Sequence, residues 1–497
     1  MNECRERRAR RVALAASAAA LAAGLGVAAL APGAAAAAPE AAAAAPEAAA
    51  AARAVAAAAR SAAVAGPGTA RAQASPVKHV VVLYLENHSF DSLFGFWCNA
   101  NPGRCPDGGM PASVKLSNGA VVKPFVDPDV PPIIKHTVQG QEAAFDGGKM
   151  DGWQNIPGCG APRYKCISGY KPAQIPNLIA LADQFAISDN TFSLANSPSW
   201  GGHVYAAVGT LDGFLGSNPQ VIKGLIGPGW GCDSDRVTLW RPPTGGTLRK
   251  VPSCIPDPSV NKPNGGAFEP TPVKRVPSIM DRLSAAGLTW ASYAATAGQK
   301  GYGWSVCAPI ASCLYSSQES HIHPDSRFLT DAKAGTLPDF SIITPGDNQV
   351  FDSWHNGFST TAGDDWLGKI ASAVMNGPEW KSTVLFVSFD DCGCFYDQVP
   401  PPVAPNGQQE GPRLPLVIIS PYAKHGYTDR AQASYASVLA YAEQTFGLAP
   451  LGVNDARAYP FKNAFNYSQA PLKPVRMVTR PIPRGDHIAY GQANEDT

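Results

Sequence analysis

The sequence predicts an α/β fold built on a mostly parallel sheet, with helices covering both faces. Two observations carry this expectation. Short apolar runs without polar alternation recur along the chain, as strands buried on both faces require. Stretches with helical apolar spacing lie between them, which is the alternation that parallel crossovers need.

The first strand is HVVVLYL (79–85), a β-branched and aromatic run that stops at the polar ENHSFD. IPNLIALADQF (175–185) has helical spacing with a Pro near its start, and AISDN follows as a strand end. VPSIMDRLSAAGL (276–288) repeats the helical pattern, with TWASYAA as the strand after it. FSIITP (340–345), TVLFVSF (383–389) and PLVIISP (415–421) are further short buried strands. DDWLGKIASAVM (364–375) and SYASVLAYAEQTFGL (434–448) are amphipathic helices. The Gly/Pro-rich, Cys-containing stretch 213–272 breaks the alternation and predicts an irregular, cap-like insertion. There is no internal repeat.

Ahead of this domain, a basic MNECRERRARR and an Ala/Gly-rich apolar stretch predict an export signal over 1–38. Residues 39–75, nearly all Ala, Pro and Glu, predict a disordered linker, which leaves 76–497 as the ordered domain. A Pro–Ala tract follows the apolar stretch in place of a stop-transfer pattern, so no stable membrane anchor is expected after processing. The paired arginines of ARRVAL leave the route, Sec or twin-arginine, open. The expected location is secreted or cell-envelope.

The formal charge of the whole chain is +1, and the first 74 residues supply +4 from eight Arg and four Glu. The remainder is therefore slightly acidic. It has no basic stripe for a nucleic-acid backbone and no polybasic segment for anionic lipid. Ten cysteines follow the leader: 98, 105, 159, 166, 232, 254, 307, 313, 392 and 394. An even count behind an export signal favours disulfides, with sequence neighbours able to pair. Zinc-knuckle spacing is absent.

In open parallel sheets, ligands gather beyond the carboxyl ends of the strands. Two strands here end in hard oxygen donors, Glu86–Asn87 and Asp390–Asp391. Such groups suit one divalent cation, with Mg²⁺, Ca²⁺, Mn²⁺ and Zn²⁺ all left open. Asp and Asn also begin turns at strand ends, which is the plainer explanation of either pair alone. NSPSWGGHVYAAVGT (196–210) places a Ser at a helix start, where free N–H groups and the dipole favour an anion. Ser199 is the candidate nucleophile. A serine that only caps this helix, 197 or 199, fits the same residues. His136 and His355 lie in loops and can protonate a leaving oxygen or contact phosphate. His321 and His323 in SHIHP have strand-neighbour spacing, with no third soft ligand nearby.

At this point four segments, in order, resemble the bacterial phospholipase C and acid phosphatase (phosphoesterase) family of the alkaline phosphatase superfamily. ENHSFDSLFG is similar to its ENRSFDxxFG signature, and FDDCGCFYDQVPPP to its [YW]D[DE]xGGFYDHVPPP block. GGKMDGW and GPRLPLVIISPYA are also similar to segments of that family. The resemblance implies an alkaline-phosphatase-like three-layer α/β/α sandwich that hydrolyses phosphoesters through a phospho-enzyme. It implies Glu86, Asn87, Asp390 and Asp391 as metal ligands, and Ser199 as the nucleophile that also touches the metal. It implies His136 and His355 as histidines around the phosphate.

The chain departs from the family in three places. Gly201–Gly202 stands where Pro-Asn is usual, which leaves Ser197 as the alternative match to the nucleophile. Gln398 replaces a histidine. Cys392-Gly393-Cys394 replaces the residues around the usual Gly-Gly, and a tight Cys392–Cys394 disulfide or two free thiols are the options.

The expected function is a secreted metal-dependent phosphoesterase of acid phosphatase or phospholipase C type. Its substrate would be a small phosphoester or a phospholipid. An exported binding protein that keeps the fold without turnover is the alternative. For a lipase, Trp200, Phe214, Trp230 and Trp240 offer either an apolar approach surface or the core of a cap.

Overall fold

A computed structural model describes residues 75–221, 227–260, 271–346, 352–404 and 407–483. The expected export signal (1–38), all but the last residue of the linker (39–75) and parts of the insertion lie outside the described residues.

The sheet strands, in chain order, are β1 His79–Leu85, β2 Ala186–Ser188, β3 Trp290–Tyr293 and β4 Ile322–His323. They continue with β5 Phe340–Ile343, β6 Thr383–Phe389, β7 Leu416–Ile419 and β8 Thr428–Asp429. Their spatial order is β4-β3-β5-β1-β6-β7-β2-β8. Every neighbouring pair is parallel except the two that involve β7. The expected mostly parallel sheet is therefore present, with one reversed strand. A continuous apolar run such as PLVIISP carries no direction, so only the packing reveals the reversal.

β1 and β6 sit at the middle and are buried on both faces, which explains their unbroken apolar character. Each fully buried Val or Leu contributes about 1.5–3 kcal/mol relative to exposure. Their register matters most for function. Tyr84 stands opposite Ser388 and Leu85 opposite Phe389, so both strands end at the same level.

The principal helices are α1 Phe90–Ala100, α2 Val138–Phe145, α3 Pro176–Gln184, α4 Ser199–Val208, α5 Ile279–Ala285, α6 Arg327–Ala334, α7 Thr360–Met375 and α8 Tyr435–Phe446. One layer joins α3, α6 and α7, which pack on one another and on β6 and β7. The other joins α4, α5 and α8. Tyr84 meets Tyr435 of α8 and His203 of α4, and Phe386 meets Tyr441 of α8. Alternate side chains of β1 and β6 thus feed one layer and the remainder feed the other. Among the described residues no helix is long and apolar enough to cross a membrane.

The insertion is more ordered than its composition predicts. Its described part contains a three-stranded antiparallel sheet of Gln220–Val221, Arg236–Trp240 and Arg249–Pro252, tied by the Cys232–Cys254 disulfide. Trp200, Phe214, Trp230 and Trp240 are all buried, and the rings of Trp200 and Phe214 meet edge to face at 5.2 Å. They form core, the second of the two options, and offer no exposed apolar approach surface.

Sequence neighbours do pair elsewhere: Cys98–Cys105, Cys159–Cys166 and Cys307–Cys313. Cys392 and Cys394 do not; both are buried free thiols, and the Cys394 N–H donates to Cys392 Sγ at 3.2 Å. The described tail crosses the α3/α7 layer, where Arg480 pairs with Asp364 at 3.0 Å and Asp365 at 3.4 Å.

Candidate active site

Because β1 and β6 end in register, Glu86–Asn87 and Asp390–Asp391 leave the sheet side by side. The Asp390 N–H donates to the Leu85 carbonyl at 2.9 Å, and the Asn87 N–H donates to Asp390 Oδ1 at 2.8 Å. Asn87 turns through a left-handed conformation (φ 65°), which Asn tolerates better than most residues. This turn brings its amide within 3.3–3.4 Å of Glu86, both Asp390 oxygens and Ser199 Oγ.

Ser199 is the first residue of α4. Pro198 occupies the cap position and supplies no side-chain hydrogen bond, so neither serine caps this helix. The Trp200 N–H is taken instead by Asn218 Oδ1 of the insertion, at 3.0 Å. The Ser199 hydroxyl accepts from the Asn87 amide at 3.4 Å, and it stands close enough to Glu86, Asp390 and Asp391 to favour the charged form of each carboxyl. Ser197 Oγ is buried and has no partner. Of the two serines, 199 is the one set among the carboxylates.

The Gly201–Gly202 pair has a steric cause. A Cβ on Gly202 would strike the Asp390 backbone carbonyl, and one on Gly201 would come within 2.6 Å of the Ser197 side chain. Small residues let α4 press directly onto the end of β6.

His203, one turn after Ser199 on the same helix, was not anticipated from the sequence. Its Nε2 lies 2.8 Å from Glu86 Oε1 and 3.9 Å from Asp390 Oδ2. Glu86, His203 and Asp390 present donor atoms all within 4.8 Å of one another, a group able to hold a metal ion. The available sequence signal was its spacing, since residues four apart share a helix face.

Glu86, Asp390, Asp391, His136, His203 and His355 are all buried. Burial drives the carboxyls of Glu86 and Asp391 well up, and the neighbouring Asp390 charge adds to this in both. Burial pushes Asp390 the same way. His203, Glu86 and the Asn87 amide outweigh it and leave this carboxyl below its ordinary range.

Among the described residues no Lys or Arg pairs with these three acids; their ion-pair partners are His203 and His136. Asn87 Oδ1 and Asp391 Oδ2 are buried without a hydrogen-bond partner. A divalent cation fits this donor set: three carboxylates, an amide whose oxygen and nitrogen exchange by a half-turn, and an imidazole.

His136 and His355 meet edge to face, 5.9 Å apart. Their Nδ1 atoms lie 3.0 Å from the Ile134 carbonyl and 2.9 Å from the Asn356 carbonyl, so each Nδ1 carries the proton. Each Nε2 is left without a partner, and His136 Nε2 is 3.9 Å from Asp391 Oδ2. Burial lowers both, His355 to about 4, where His136 also contributes. Trp304 stacks on His355 at 5.7 Å.

The remaining expected residues fall outside the cluster. His321 stacks on Trp290 and His323 contacts Arg327; they do not converge on a metal site among the described residues. Gln398 donates its side-chain N–H to the Gly109 carbonyl at 3.1 Å. Asp397 accepts from Arg413 Nε at 3.0 Å, and Arg413 also reaches Asp91 at 2.8 Å, a buried network beneath the 390–398 loop.

Several known proteins are similar to the chain. It is 25% identical to a non-hemolytic phospholipase C of Pseudomonas aeruginosa over 454 residues, covering 80% of this chain and 58% of that protein's length. Phospholipase C A of Mycobacterium tuberculosis is 24% identical, with 84% and 82% covered. Non-specific phospholipase C1 of Arabidopsis thaliana is 23% identical, with 82% and 75% covered. The sequence profile of the Phosphoesterase family matches residues 77–449, and the chain belongs to that family of hydrolases acting on phosphoester bonds.

Proposed function

We propose that the protein is a secreted, metal-dependent phosphoesterase that works through a phosphoserine at Ser199. The observation that carries this is the placing of the Ser199 hydroxyl, at a helix start, against Glu86, Asp390 and Asp391. The four disulfides support an oxidising compartment.

A divalent cation bound by Glu86, Asp390, Asp391, Asn87 Oδ1 and His203 Nε2 would neutralise phosphoryl charge and lower the hydroxyl pKa. With its proton released to solvent, Ser199 Oγ attacks phosphorus in line, and the bond to the leaving oxygen breaks as the phosphoserine forms. His136 and His355 offer lone pairs at Nε2, so each must take up a proton before donating one. The negative charge of a bound phosphoester favours that uptake, after which the imidazolium protonates the leaving oxygen. Water then attacks phosphorus and releases Ser199.

The test is a panel of p-nitrophenyl phosphate, other phosphomonoesters and phosphatidylcholine, with and without chelator, beside Ser199→Ala and Asp390→Asn. Chelator-sensitive turnover lost in both variants is expected. If wild type hydrolyses none of them with any divalent metal, the non-catalytic alternative replaces this reading. Turnover of p-nitrophenyl phosphate without phosphatidylcholine assigns the phosphatase type.

A further inference from the structure

A cleft of about 280 Å³ opens beside His136 and Pro198, the residue that precedes the nucleophile. Its opposite wall comes from the insertion, through Asn218, Gln220, Thr238 and Lys250. The Asn218–Trp200 hydrogen bond fixes that wall to the start of α4. Lys250 faces inward for a structural reason. The preceding Arg249 lies over the Trp240 ring at 5.0 Å, and successive strand residues point to opposite faces.

The chemistry of the lining is one-sided. Hydroxyl, amide and ammonium groups surround an apolar base of Val138, Val237 and Leu239. Among the described residues no Asp, Glu, Phe, Trp or Tyr lines the cleft. A quaternary ammonium group needs an aromatic face or a counter-charge, and it would meet Lys250 instead. A hydroxyl-rich or anionic group finds donors at the hydroxyls, the amides and Lys250, and a hydroxyl can also donate to the lone pair of His136 Nε2. The volume is at the small end for ligand pockets, which suits a compact polar group and not acyl chains.

We propose that this cleft receives the alcohol part of the substrate, and that Lys250 and the amides select a polyol or anionic group over a quaternary-ammonium one. The inference rests on the phosphoesterase reading for the identity of the ligand, but its test reads binding and not turnover.

Calorimetry in a Ser199→Ala background compares glycerol 3-phosphate with phosphocholine, two phosphomonoesters that differ in this group. Glycerol 3-phosphate is expected to bind more tightly. Adding Lys250→Glu, at an exposed position, should move the affinity ratio toward phosphocholine by about threefold to tenfold, as reversal of one solvent-exposed charge allows. Equal or tighter binding of phosphocholine, a ratio unmoved by Lys250→Glu, or no binding of either ligand overturns the proposal. Each of these can occur while wild type still hydrolyses p-nitrophenyl phosphate, so the two readings fail separately.

Discussion

His203 Nε2 lies 2.8 Å from Glu86 Oε1, which joins helix α4 to the end of the central strand. Replacing His203 with Ala leaves the buried Glu86 carboxylate without this partner and removes a nitrogen donor from the cluster. Metal content, measured by elemental analysis, should fall, and kcat/KM on p-nitrophenyl phosphate should drop about 10- to 100-fold, the usual effect of losing such a partner. Full metal content with unchanged kinetics would remove His203 from the site.

The two serines make a clean pair for mutation. Ser199→Ala should abolish turnover and leave metal binding largely intact, because the carboxylates remain. Ser197→Ala should change activity little, since its hydroxyl has no partner to lose. Mass spectrometry of acid-quenched enzyme should find the phosphoryl group on the peptide at residue 199. Phosphate at 197 would move the nucleophile.

Gly202→Ala tests the contact between α4 and β6. Its methyl group would meet the Asp390 backbone, which cannot move aside as a flexible side chain can. Overpacking of this kind costs about 1–3 kcal/mol, and here it also displaces Ser199 from Asp390. Activity should fall far more than the melting temperature does. A fully active variant would show that the helix can shift freely.

Asp127 gives a pH signature away from the carboxylate cluster. It is 2% exposed, and neither carboxyl oxygen has a hydrogen-bond partner. Burial raises it to about 7, with only Ser168 acting the other way. An unfolded Asp titrates near about 3.9, so between there and about 7 the folded state holds the extra proton. Stability therefore falls as pH rises through that window, by on the order of a few kcal/mol. Asp127→Asn should flatten the profile and raise the melting temperature at pH 8 more than at pH 5. Parallel profiles in calorimetry would refute this.

The sheet and its oxygen donors were legible because burial on both faces leaves a continuous apolar run, and polar residues stand out where it ends. Glu86, Asn87, Asp390 and Asp391 stood out as candidates this way, and Ser199 by its place at a helix start, and the fold brings these five together. His203 was not, because its meaning depends on which helix face meets the strand ends. The direction of β7 is likewise absent from its own residues. The insertion sheet escaped notice because Gln220–Val221 is only a pair of residues and the Arg249–Pro252 strand opens with two charges. For the cysteines, sequence left the connectivity open, and four pairs of sequence neighbours do join. At Cys392–Cys394, where a disulfide and two free thiols were both open, positive φ at Gly393 (55°) and Cys394 (52°) accompanies two unlinked sulfurs.

Those two thiols give the protein a built-in reporter of unfolding. They sit in the loop that follows Asp390 and Asp391, out of reach of solvent, while the other eight cysteines of the described domain are already committed to disulfides. A thiol-specific dye should therefore stay dark toward this loop in the native protein and register two sulfhydryls when the loop opens. Integrity of the site could be followed by colour alone, without a substrate.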